Sequence, residues 1–401
     1  MAKSLSSLWL KTARRLGRAQ QAQGSKLFKS LLKQATKAGK ATKATKATKA
    51  TKAMTVTKAA AIIKNRAAAQ KVAVSRTSAK AKAAKPLGTG KLPAAQGSWQ
   101  KGFFSLPVGT AASTSRRMLY WLYIPANPAA KPLPLVVMLH GCRQSATDFA
   151  TSTRMNALAE RKGFAVLYPQ QSAAQDANRC WPWYKSAAVQ GQGDVAVIAA
   201  MVEKVQAQHG FDQSRIYAAG LSAGAGLAAL LALRYPSLIA AVGLHSGPVF
   251  GVADSALSAF RVMQTGSAAT TAAAVEAFEA QPLLLQGAGI PVILLHGSRD
   301  AVVRRINLQQ QTRQFAVLNA PLTASALPVR KIYPARAGRK PRHGWQTSTF
   351  FAGRKPQIVS CEIEGLAHAW SGADASVPFG DVQGPDASAL MWAFLSRHKR
   401  I

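Results

Sequence analysis

The chain has 401 residues, 48% of them hydrophobic, and a formal net charge of +37. Its three cysteines, Cys142, Cys180 and Cys361, have no metal-ligand spacing, which argues against a zinc module. No run approaches the ~20 apolar residues that a membrane-spanning helix needs.

The charge is uneven. Residues 1–95 hold 23 of the 52 Lys and Arg and no Asp or Glu; the first acidic residue is Asp148. Residues 1–40 place Leu5, Leu8, Trp9, Leu16, Phe28 and Leu31 at helical spacing among lysines and arginines. This predicts a basic amphipathic helical segment, suited to an anionic or lipid-like surface or to packing on its own domain. Residues 41–95 form an Ala/Lys/Thr-rich linker with a near-perfect Ala-Thr-Lys repeat from Ala41 to Ala53. Too little apolar surface is present there to offset the entropy of ordering. Spaced lysines would neutralise phosphates in non-specific nucleic-acid contact, and a plain tether is the competing reading. At the N-terminus, Lys11 and Arg14 interrupt the short apolar run Leu8-Trp9-Leu10, so no signal peptide is expected. The segment shares the acid-free, Arg-rich character of organelle transit peptides. The expected location is cytoplasmic, with export as the alternative.

Residues 96–401 read as one α/β domain with a large core. Phe103-Phe104 and Met118–Ile124 (MLYWLYI) predict an antiparallel entry hairpin. Strands are then expected at 135–139, 164–168, 215–219, 240–245, 291–295 and 359–363. Between and after them, helices are expected near 152–161, 194–208, 225–234, 303–315 and 386–397. Such alternation predicts a mostly parallel sheet covered on both faces. The Ala-rich stretch from about 250 to 286 is expected to be helical, as a loop or small lid.

The most informative stretch is Gly220-Leu221-Ser222-Ala223-Gly224, between a short buried strand and a tightly packed helix. In that setting G-x-S-x-G is the nucleophile elbow of an α/β-hydrolase fold, with Ser222 in a strained turn and its Oγ lifted above the sheet. A serine needs a base, and the base needs an orienting acid. In this fold they follow in the order acid, then histidine, each on a loop after a strand. Asp300 follows the strand at 291–295, and His368 follows the strand at 359–363. Asp300 has the alternative role of capping the helix expected near Val303, and Asp374 is out of order. His140, His245 and His296 end strands, where a structural histidine is the default. Two N–H donors must stabilise the developing oxyanion. They are expected from Ala223 and from the loop after 135–139, with Cys142 first and Arg143 second.

The chain resembles the poly(3-hydroxybutyrate) depolymerase family of esterases, relatives of feruloyl and acetylxylan esterases. The resemblance is carried by LHGCRQSATDF (139–149), MNALAERKGFAVLYP (155–169), Cys180-Trp181-Pro182-Trp183, the elbow, and GLAHAWSG (365–372). It implies Ser222 as nucleophile, Asp300 as acid, His368 as base and the Cys142 amide in the oxyanion hole. It also implies a Cys142–Cys180 disulfide beside the site. Ala225 stands where the family often has a second glycine, and the basic insertion between Ala320 and Lys355 departs from the familiar pattern. Trp181, Trp183 and Trp370 are expected to line an aromatic cleft, Trp370 foremost, or else to pin loops from within the core.

The function expected is therefore serine carboxylic-ester hydrolysis without metal or organic cofactor. The expected substrate is poly(3-hydroxybutyrate) or its oligomers, and a polyester granule would give residues 1–40 a target. A feruloyl or acetyl esterase is the nearest rival. A nucleic-acid- or granule-binding protein on a hydrolase scaffold is the rival of another class.

Overall fold

The computed structural model describes residues 96–107, 115–126, 132–267, 275, 289–323, 327–374 and 376–400. The expectations for residues 1–40 and 41–95 lie outside these.

The apolar runs pair into one ten-stranded sheet. Its strands are β1 (Ser98–Pro107), β2 (Ser115–Ile124), β3 (Leu135–Leu139), β4 (Ala165–Gln170), β5 (Ile216–Leu221), β6 (Ala241–His245), β7 (Val292–Gly297), β8 (Val329–Tyr333), β9 (Trp345–Ala352) and β10 (Lys355–Ile363). The order is β1-β2-β4-β3-β5-β6-β7-β10-β9-β8. The six middle strands, β4 to β10, are mutually parallel. Two antiparallel strands extend the sheet on each side, β1 and β2 at one edge and β9 and β8 at the other. The expected entry hairpin is present, with Phe103 paired to Leu119 and Phe104 to Met118.

Side chains alternate across a strand, so β3 feeds two cores. Leu135, Val137 and Leu139 pack on one face with α4 (Asp194–His209), α5 (Ala223–Arg234) and α7 (Ile306–Leu318). Val136 and Met138 pack on the other face with α1 (Ala146–Thr153), α2 (Met155–Lys162) and α9 (Ala387–Leu395). Burial of both faces is why these strands are continuous apolar runs rather than alternating ones. Helix α5 is buried along its whole length except Arg234, which is why its residues are alanine, glycine and leucine. The short helices α3 (Ser186–Val189) and α8 (Ala320–Thr323), helix α6 (Ala256–Thr265), and the two-residue strands β11 (Trp370–Ser371) and β12 (Gly380–Asp381) complete the described elements.

Two local expectations need correction. The single helix expected near 152–161 is two helices that meet at Arg154, whose φ of 52° lies in the left-handed region. A capping box between Ser145 and Asp148 starts the first of them earlier than expected. The basic insertion forms β8 and β9, which were not expected. No helix among the described residues is long and apolar enough to cross a membrane.

Candidate active site

Parallel strands deliver their loops to one edge, and the expected nucleophile, acid and base all lie at the carboxyl ends of β5, β7 and β10. Ser222 joins β5 to α5 with φ 57° and ψ −122°, a backbone conformation disfavoured for a residue with a Cβ. The flanking glycines permit this turn. A Cβ on Gly220 would lie 2.4 Å from the Gly224 carbonyl carbon, and one on Gly224 would lie 2.1 Å from the Leu139 oxygen. The second glycine therefore lets α5 press against the end of β3, a contact beyond the turn itself.

Asp300 is buried on the loop after β7. Its Oδ2 accepts a hydrogen bond from His368 Nδ1 at 2.7 Å. Its Oδ1 accepts from the backbone N–H of Val302 and of Val303, both at 2.9 Å. One oxygen thus bonds His368 and the other caps the turn after β7; the helix expected near Val303 begins later, at Ile306, with Arg305 rather than Asp300 at its N-cap. Burial raises the carboxyl pKa; the charge of His368 and its hydrogen bond, with His296 nearby, outweigh it and hold the group below its usual value.

The acid and base loops are joined by two backbone–backbone contacts and one from backbone to a side-chain hydroxyl. Ser298 N–H donates to Ile363 O at 2.9 Å, Arg299 N–H to Leu366 O at 3.0 Å, and Gly365 N–H to Ser298 Oγ at 2.9 Å. Gly297 allows this approach, since a Cβ there would lie 2.2 Å from the Leu366 oxygen. His368 and Ser222 border the same narrow cleft. No hydrogen bond joins them here, and such contacts often tighten only when substrate binds.

The loop after β3 supplies the opposite wall. Arg143 N–H is engaged by Asn178 O, whereas Cys142 N–H donates to no group among the described residues. Of the two donors expected from this loop, Cys142 is the one left to serve a ligand. Ala223, the first residue of α5, has the unpaired N–H of a helix start. The loop is held by a Cys142–Cys180 disulfide, by Trp181 Nε1–H donating to His140 O at 2.9 Å, and by Gln144 Oε1 accepting from Gly141 N–H at 2.9 Å.

His140, His245 and His296 are buried and satisfied, as their strand-end positions suggested. His140 Nδ1–H donates to Gly141 O while Nε2 accepts from Gln171 N–H. His245 Nε2 accepts from Ser371 N–H, and His296 Nε2–H donates to Val303 O. Burial pushes His140 down to about 4 and His245 to about 3.

The tryptophans are placed differently from the expected cleft wall. Trp370 is 0% exposed, stacked on His245 with ring centroids 5.2 Å apart, and its Nε1–H donates to Ser388 Oγ. Trp181 and Trp183 are also buried, Trp183 against Gly226 of α5. The aromatic ring bordering the cleft is Phe379, whose centroid lies 6.3 Å from that of His368. Gln144 and Phe379 are the site residues that sequence reasoning did not single out. Gln144 stands inside the GCRQS stretch, but Phe379 lies in a loop with no motif.

The family model "Esterase PHB depolymerase" matches residues 118–337, more than half of the chain. That span includes Ser222 and Asp300 and ends before His368. The chain is 34% identical over 194 residues to a poly(3-hydroxyalkanoate) depolymerase C of Paucimonas lemoignei, covering 48% of this chain and 46% of the relative. It is 35% identical over 147 residues to a probable acetylxylan esterase A of Neosartorya fischeri, covering 36% and 37%. It is 29% identical over 237 residues to a feruloyl esterase B of Talaromyces funiculosus, covering 53% and 64%. The chain thus spans less than two thirds of each of these relatives. The solved acetyl xylan esterase from Aspergillus awamori shares the fold, with a TM-score of 0.56 at 19% identity over 74% of this chain and 99% of that one. The family match over more than half of the chain and the likeness to a solved esterase fold give the conclusion: the chain belongs to the esterase PHB depolymerase family and has the α/β-hydrolase fold.

Proposed function

We propose that this protein is a serine carboxylic-ester hydrolase that cleaves poly(3-hydroxybutyrate) or its oligomers through an acyl-enzyme. The observation that carries the reading is the 2.7 Å His368–Asp300 hydrogen bond at the rim that also holds the Ser222 elbow. Ser222 Oγ attacks the ester carbonyl as His368 Nε2 takes its proton. Asp300 holds the Nδ1–H tautomer and stabilises the imidazolium. The Cys142 and Ala223 amides receive the oxyanion. Collapse of the tetrahedral intermediate breaks the C–O bond, and the departing alkoxide takes the proton from His368. Water then attacks the acyl-enzyme with the same base, releasing the acid and restoring Ser222.

The test is hydrolysis of p-nitrophenyl butyrate by the wild type and by Ser222→Ala, with mass spectrometry after fluorophosphonate labelling. Loss of roughly 10⁴-fold or more in kcat, with the label on Ser222, is expected. Unlabelled protein without activity would overturn the reading. Comparing 3-hydroxybutyrate trimers with methyl ferulate and acetylated xylan decides the substrate class, since the relatives include acetylxylan and feruloyl esterases. A preference for either plant ester replaces the polyester assignment.

Residues 1–40 are proposed to hold the enzyme on a granule or anionic surface, and residues 41–95 to act as its extended basic linker. Unchanged granule association after deletion of residues 1–95 would end that proposal. DNA binding by this arm would fall steeply with salt if it contributes nucleic-acid contact. The cytoplasmic assignment and the Cys142–Cys180 disulfide pull in opposite directions, and the disulfide supports the exported alternative.

A further inference from the structure

The cleft over Ser222 is too narrow for a substrate. The residues that line it leave no room for a water molecule, unlike those around the cavity behind the disulfide. An ester must bring its carbonyl carbon to within ~3–3.5 Å of the attacking oxygen, so one wall has to give way. Most walls are fixed. Gly141 and Cys142 are tied by the disulfide and by Gln144. Gln144 is 1% exposed and bonded at both ends, its Nε2–H donating to Pro378 O. Leu221, also 1% exposed, ends β5.

Phe379 is the exception. It is the one lining residue that is partly exposed. Its backbone is held, since Phe379 O accepts from Trp370 N–H at 2.8 Å and the neighbouring Pro378 O accepts from Gln144. The ring meets His368 edge-on, at an interplanar angle of 83°, and packs at the margin of the core that holds Trp370. The residue has φ +64°, where glycine is favoured and a bulky side chain is strained. An aromatic side chain thus occupies a costly backbone position at the border of the nucleophile's cleft, on a fixed backbone and with its ring only partly buried.

We propose that the Phe379 ring is the gate of the acyl pocket and the specificity-determining residue for the acyl group that reaches Ser222. The proposal rests on Ser222 being the nucleophile. When the ring turns about χ1, the space it leaves lies between His368 and the Gly141–Gln144 loop, where the acyl chain or polymer segment would sit. The ring's return excludes water from the charged intermediate.

The experiment compares kcat/KM for p-nitrophenyl acetate and octanoate in the wild type, Phe379→Gly and Phe379→Trp. Glycine suits the left-handed backbone, so the first variant keeps the loop. The octanoate-to-acetate ratio should rise at least tenfold in Phe379→Gly, chiefly through KM, and should fall in Phe379→Trp. Ratios within twofold of wild type in both variants would overturn the proposal. A second arm does not depend on esterase activity. Ser222→Cys, with and without Phe379→Gly, is alkylated with iodoacetamide and with N-phenylmaleimide; the remaining free thiol, Cys361, is buried. Opening the gate should accelerate the bulky reagent at least tenfold more than the small one, and equal acceleration refutes the gate. If the wild type hydrolyses no ester, the hydrolase reading and the acyl-specificity proposal fall together; an active wild type without selective opening overturns the gate alone.

Discussion

The two halves of the candidate active site are built by different means. Asp300 and His368 sit on loops joined to one another by peptide groups, with glycine at the point of closest approach. The loop from His140 to Gln144 is held mainly by side chains, a disulfide, an indole N–H, a carboxamide and a buried imidazole, with one backbone bond outward, from Arg143 N–H to Asn178 O. Backbone joinery follows from strand order and tolerates changes of side chain. Side-chain joinery fails when one partner is removed. The acid–base half should therefore lose its chemistry without losing its frame, and the oxyanion half should lose both together.

Asp300→Asn tests the first half and carries the largest expected effect. Asn keeps an oxygen for the Val302 and Val303 N–H groups, so the loop should persist. The amide can no longer stabilise an imidazolium or enforce the Nδ1–H tautomer. A fall of roughly 10⁴-fold in kcat is expected, with little change in the midpoint of urea unfolding. If kcat falls less than tenfold, Asp300 is a turn cap and the triad assignment is wrong.

The second half is tested by the double substitution Cys142→Ala and Cys180→Ala. The bridge spans 38 residues, and releasing a loop of that size costs ~4 kcal/mol in the chain-entropy account. Because the Cys142 amide is the proposed oxyanion donor, kcat should drop as well, by up to ~10²-fold. Urea unfolding and p-nitrophenyl butyrate kinetics, measured on the same preparation, provide both readings. Unchanged kcat in a destabilised protein would show that Gln144 and Trp181 hold the loop unaided.

The same division explains what could be read from the sequence. The strands β3, β5, β6 and β7 were legible because burial on both faces demands continuous apolar runs, and the elbow was legible because two glycines must flank the serine. Asp300 and His368 followed from chain order at strand ends. Strands β8 and β9 were hidden because the edge segment Val329–Tyr333 is mostly exposed and basic, as edge strands that resist pairing often are. The break at Arg154 carries no Gly or Pro. Trp370 was misplaced because two residues of separation from His368 says nothing of which way a ring points; it points into the core, onto His245. Phe379 was missed because its importance lies in a backbone dihedral and a neighbour 11 residues back, neither of which leaves a motif.

Buried imidazoles underlie both halves, and pH reads them together. Burial holds His140 at about 4 and His245 at about 3, and it lowers His296 as well. Their unfolded value is about 6.5. For each, the unfolded chain binds a proton that the native state refuses, so stability is full above ~6.5 and declines as pH falls toward the native pKa. The expected slope is ~1.4 kcal/mol per pH unit for each of His140 and His245 until about pH 4, and His296 adds a contribution of the same sign. Asp300 acts lower down: its depressed pKa adds stability above ~3.9 that is lost only as pH falls through the native value. Urea midpoints measured between pH 7.5 and 4.5 should therefore hold down to about pH 6.5 and then fall, and His140→Gln should flatten that fall by one proton's worth. A flat profile over that range would mean these histidines accept protons in place. The strand-end hydrogen bonds assigned to their neutral tautomers would then be wrong in both halves at once.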